Sequence, residues 1–146
     1  MSAAVSAPAV TNRPRPLLGA AAGAVVALIA NTIVFFVANA VHGSPIQASN
    51  DGTNPSDVYY VGVIVASVLP IFVGAGLLWL LARFTNSAVR VWTIVAIVVT
   101  VLSLSAPTFL PVDGGSKIAL ALMHIGAAAS AIVGQQLAAR RPSRKA

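Results

Sequence analysis

LLGAAAGAVVALIANTIVFFVANAV, residues 17–41, runs for 25 positions without a charge. A bilayer core of ~30 Å needs ~20 apolar residues in a helix, so this stretch is long enough to cross one. Residues 58–82, VYYVGVIVASVLPIFVGAGLLWLLA, repeat the pattern, and two more apolar runs follow at 91–110 and 118–139. None alternates as a barrel strand does, and a helix is the one open-chain way to satisfy the backbone in lipid. The expected fold is all-α, a four-helix transmembrane bundle with spans at about 17–41, 58–83, 89–110 and 117–139.

Composition agrees. Of 146 residues, 58% are hydrophobic and 8% charged, against the ~25% charged of a soluble globule. Cysteine is absent, which excludes disulfide scaffolds and thiolate metal sites. Glutamate is absent too, which removes a common intramembrane proton carrier.

Charge placement sets the expected direction of the spans. Arg13 and Arg15 precede the first, Arg83 and Arg90 flank the turn between the second and third, and Arg140, Arg141, Arg144 and Lys145 follow the last. The opposite side holds Asp51, Asp57, Asp113 and a single cation, Lys117. By the positive-inside rule both termini are expected in the cytoplasm. The net charge of +6 then reflects topology and attraction to anionic lipid, not nucleic-acid binding. Residues 1–16 and 140–146 read as disordered cytoplasmic tails. The first apolar run is about twice a signal peptide's ~7–15-residue core, so it is expected to stay uncleaved.

Between the spans, residues 42–57 (HGSPIQASNDGTNPSD) form a polar, turn-rich outer loop. Tyr59, Tyr60, Trp79 and Trp92 stand where interfacial anchors belong. Small residues mark where helices can approach closely, because lipid provides no hydrophobic drive between them. Gly19 and Gly23 form one such ridge in the first span, and Gly126, Ser130 and Gly134 form another in the fourth. Thr93, Ala96, Thr100, Ser103 and Pro107 make a small and polar stripe along the third. The first-span ridge can serve the bundle interior or a homodimer.

Polar residues inside the spans are the candidate functional groups. Asn31, Ser67, Ser103, Ser105 and His124 come from all four spans and all fall in the outer half of the bilayer. His124 is the one titratable side chain within a span, and its face carries Ala128, Ala131 and Gln135, so it is expected to point inward. Gln135 and Gln136 are read as solvated at the inner interface. Serine hydrolysis needs an orienting acid beside Ser and His, yet every acid lies in an outer loop. A catalytic metal needs three protein ligands and the chain has two histidines. No enzymatic activity and no cofactor is therefore expected.

The order Asn31, then Ser67 and Pro70 with Leu-Leu-Ala-Arg (80–83), Leu-Ser-Leu-Ser (102–105) with Pro107, and Ala-Leu-Met-His (121–124) resembles a family of small actinobacterial membrane proteins known only as a domain of unknown function. The likeness covers about residues 17–139. It implies a four-helix fold and no activity. Two lysines among many alanines, valines and arginines fit a high-GC bacterial genome and a plasma-membrane location. The functional expectation is a non-enzymatic membrane protein that binds a membrane partner, another copy of itself or a small ligand in an outer-leaflet polar pocket. The alternative is a small transporter or channel for a neutral or anionic solute through the same groups.

Overall fold

The computed structural model describes residues 15–49 and 51–140. The two expected tails, with Arg13, Arg144 and Lys145, lie almost wholly outside them. Helix α1 covers Pro16–His42, α2 Tyr60–Phe84, α3 Ala88–Phe109 and α4 Gly114–Arg140. Each of these 4 helices is long and apolar enough to span a membrane. Proline opens α1, where a missing N–H costs nothing, and Gly43 closes it with φ +70°. Helix α4 starts at Gly114, ahead of the expected 117, because Asp113 caps it: its Oδ1 accepts the Ser116 N–H at 2.9 Å and its Oδ2 the Ser116 hydroxyl.

The helices form a ring in which α1 packs on α4 and α2, and α3 on α4 and α2. The α1–α4 seam is the tightest. A Cβ on Gly23 would come within 2.8 Å of the Ser130 carbonyl oxygen. One on Gly134 would come within 2.5 Å of the Gly19 carbonyl oxygen. These glycines therefore lie backbone against backbone, and Gly126 continues the seam beside Asn31. Of the two uses the sequence leaves open for the first-span ridge, the structure shows the contact inside the bundle, with α4.

The core changes width along the bundle. Its middle is narrow and built of Ala20, Ala24, Ala27, Ile71 and Ala75. At one end it widens to Phe35, Ile46, Val63, Ala119 and Met123, and at the other to Leu78, Ala88 and Trp92. Large apolar side chains such as Val25, Ile33, Leu69, Val73 and Val101 point outward, as a surface solvated by lipid tails requires.

The connection between α1 and α2 is more ordered than a turn-rich reading implies. Strands β1 (Gln47–Ala48) and β2 (Ser56–Asp57) pair antiparallel, Gln47 opposite Asp57. At the tip Asp51 accepts the N–H and the side-chain amide of Asn54, then the Thr53 N–H and the Ser49 hydroxyl, which hold its carboxyl well below the usual carboxylate range. Ile46 anchors the ribbon: it is wholly buried, its N–H donates to Asn39 Oδ1 at 2.8 Å, and its carbonyl accepts the Val58 N–H.

Candidate functional site

Two of the five polar candidates meet. Asn31 Nδ2 donates to Ser67 Oγ at 2.8 Å, and Ser67 Oγ donates to the Val63 carbonyl at 2.7 Å. Both side chains are buried between α1, α2 and α4. Among the described residues Asn31 Oδ1 has no conventional donor. It faces Gly126, where a Cβ would lie 3.1 Å from the oxygen, so the glycine Cα–H groups are its neighbours. A double-mutant cycle on Asn31→Ala and Ser67→Ala is expected to give a coupling of about 0.6 kcal/mol and at most ~1.7, the range for such pairs in lipid. A coupling of zero in an unfolding titration would sink the pair as a helix tie.

The other three do not join them. Ser103 Oγ bonds the Thr100 carbonyl, Ser105 Oγ that of Leu102, and His124 Nδ1 that of Leu120. Each satisfies its own helix. His124 is exposed, which corrects the expectation that it points into the bundle. The outer-half polar pocket is therefore not assembled from these five residues. The stripe on α3 is likewise satisfied locally, through Thr93 to Val89 and Thr100 to Ala96.

What the structure does assemble lies at the ribbon end of the bundle. His42, in the last turn of α1, has Nε2 2.7 Å from Asp113 Oδ1 and Nδ1 2.6 Å from Ser44 Oγ. With Nε2–H donating to the carboxylate, Nδ1 accepts the Ser44 hydroxyl. Ser116, fully buried, accepts the Gln47 N–H at 2.9 Å while bonding Asp113. One network thus ties the C-terminus of α1, the ribbon and the N-terminus of α4. The Asp113 carboxylate suits its place at the N-terminus of α4, where unpaired N–H groups favour an anion. Gly115 leaves room for the ring, since a Cβ there would come within 2.8 Å of His42 Nε2.

Asp113 lies well below the usual carboxylate range, held there first by the Ser116 hydroxyl and N–H and then by His42. A depressed value means folding favours the ionised form. Its stabilisation is complete above the ordinary value of 3.8 and is lost as pH falls below it toward the folded value. Asp113→Asn is therefore expected to flatten the acid limb of stability. Unfolding midpoints in detergent between about pH 2 and 6 test this, and an unchanged acid limb would count against the network.

Beside the network an open groove of about 490 Å³ is lined by Phe35, Asn39, Ser44, Asp57, Tyr59 and Tyr60. Its volume is within the ~300–1,000 Å³ of small-molecule sites. On its lining Phe35 and Tyr60 pack with ring centroids 5.7 Å apart, and Phe36, off the lining, packs against both. Tyr60 OH also pairs with Thr32 Oγ1 at 3.0 Å, which fixes the ring. Chemically the groove offers aromatic surface, hydroxyls and one carboxylate. Among the described residues no group of three or more His, Asp or Glu could hold a metal ion.

A model of a family of unknown function, DUF6069, matches residues 11–141. The chain belongs to that family. No curated protein and no solved structure matches it. The match spans the stretch over which the sequence resemblance was read, and it carries no activity with it.

In this DUF6069 chain several residues have roles that sequence reasoning missed. Gln135, expected to be solvated, is buried, and its Nε2 donates to the Pro16 carbonyl at 2.9 Å. Among the described residues its Oε1 has no conventional donor, and it faces Gly19, the counterpart of Asn31 facing Gly126. Trp92, read as an interfacial anchor, is buried with Nε1 donating to the Gly74 carbonyl at 2.7 Å. Trp79 remains at the surface with the Arg83 guanidinium 3.8 Å above its ring. Ile46 had a readable signal: it is the one large apolar residue in an otherwise polar connection.

Proposed function

We propose that this is a non-enzymatic protein of a bacterial plasma membrane, both termini cytoplasmic, that binds a small ligand at the outer end of its bundle. The observation that supports it is the groove between the end of α1, the ribbon and the start of α2. Orientation rests on the excess of Arg and Lys at the opposite end, and the family likeness supports an actinobacterial source. The scattered positions of Ser103, Ser105 and His124 give a transmembrane pathway no support.

The chain lacks cysteine, so single cysteines report topology cleanly. Thr53→Cys should react with an impermeant maleimide in intact cells and Ser87→Cys only after permeabilisation. Native mass spectrometry of protein extracted from its own membrane should then show a small retained mass, lost when Tyr60 is changed to Ala. Labelling of Ser87→Cys in intact cells would overturn the orientation. A retained polypeptide in place of a small molecule would make the protein a subunit of a larger assembly.

The Ser44–His42–Asp113 series favours a second reading, acyl transfer with Ser44 as nucleophile, His42 as base and Asp113 orienting the ring. An outer-loop acid does reach a histidine and a serine, against the sequence expectation. A phosphonate adduct at Ser44 would establish this reading; unlabelled protein leaves the three as a clamp.

A further inference from the structure

We propose that the groove at the ribbon end recognises a small organic ammonium cation arriving from the aqueous phase; this deepens the ligand-binding reading and rests on it. Three observations lead there. The walls are aromatic: Phe35, Tyr59 and Tyr60 line the groove, and Tyr59 and Tyr60 remain 75% and 38% exposed. Ring faces attract cations through their quadrupole. The one ionic group on the lining is Asp57, whose carboxylate takes a single long bond from Gln47 Nε2 at 3.3 Å and, among the described residues, forms no salt bridge.

The surroundings agree in sign. The ribbon end carries Asp51, Asp57 and Asp113 against Lys117, whose ammonium is turned away to the Thr108 carbonyl. His42 is occupied between Asp113 and Ser44. An anionic headgroup would thus meet a carboxylate and no cation on the lining, whereas an ammonium group meets a carboxylate and aromatic rings. Asn39 adds hydrogen bonding. Its Oδ1 is held by the Ile46 N–H, so the Nδ2 group is the donor this wall offers to a hydroxyl on the ligand.

Choline and its uncharged carbon isostere, 3,3-dimethylbutan-1-ol, separate charge from shape. With the full chain in uncharged maltoside micelles, saturation-transfer NMR on the ligand methyl protons gives both affinities. Choline is expected to bind about tenfold more tightly, the rings at this exposed site and the Asp57 carboxylate each contributing roughly threefold. Asp57→Asn and Tyr59→Leu change exposed side chains, so the bundle should stay folded. Each is expected to cut that preference to about threefold, and added salt should weaken choline binding alone.

Equal affinities in the unchanged protein, with Asp57→Asn silent, would overturn the cation proposal and leave the groove as a site for neutral ligands. Binding of neither compound would overturn both. Choline binding that disappears in phosphatidylcholine nanodiscs would overturn the aqueous source and assign the groove to a lipid headgroup.

Discussion

Gly134→Val is expected to leave little folded protein in mild detergent, while Gly76→Ala leaves stability unchanged or slightly raised. A Cβ at 134 would lie 2.5 Å from the Gly19 carbonyl oxygen, 3.0 Å from Gly23 N and 3.1 Å from Gly23 Cα. These are backbone atoms of the facing helix, so no rotamer change relieves them. A single added methyl in a packed interior costs ~1–3 kcal/mol, and a branched side chain forces the helices apart altogether. Gly76 has nothing within 4 Å of its ideal Cβ, so alanine there adds helix propensity without a clash. Unfolding titrations in bicelles with both variants make the comparison. Equal stability of Gly134→Val and the parent would mean that α1 and α4 do not meet backbone to backbone.

Trp92→Ala is expected to loosen α3 from the ring. Helix α3 is the least covered of the spans, with 11% of its apolar window buried, so its hold rests on few side chains. Trp92 is 3% exposed, packs with Leu78 and Ala88, and bonds the Gly74 carbonyl. Truncating a buried tryptophan costs ~3–5 kcal/mol in water-soluble cores. Lipid tails replace part of the transfer term here, so the expected loss is toward the low end. Trp92→Phe keeps the ring and removes the donor, and is expected to cost about 1 kcal/mol. Hydrogen exchange should show the amides of α3 losing protection first in Trp92→Ala. Uniform loss across all helices would mean that α3 is not held separately.

The spans were legible because bilayer thickness imposes a length that composition reveals directly, as in residues 17–41 and 58–82. Side-chain direction was not. Gln135 is eleven positions beyond His124, which at 100° per residue returns to nearly the same face. Yet Gln135 is buried against Pro16 and Gly19, and His124 is exposed. Helices cross at an angle, so the covered stripe drifts around each one along its length. That drift depends on the partner and cannot be read from one helix alone. The ribbon-end network escaped for a related reason. His42, Ser44 and Asp113 are separated by up to 71 positions, and only the ring order that sets α1 beside α4 brings them together.

The seam between α1 and α4 joins the first of the described helices to the fourth. Gly19 and Gly134 are the two sides of one contact, so the ribosome must add 115 residues after the first before it can form. At ~5–20 residues per second that delay is on the order of ten seconds. Throughout it, α1 stands in the bilayer with its small-residue ridge and the Asn31 amide uncovered, and α2 alone offers a partner, through Ser67. Until α4 is made, the chain is a three-helix intermediate with one side of α1 open. A chain cut short before α4 should be degraded in cells even though its three remaining helices insert normally.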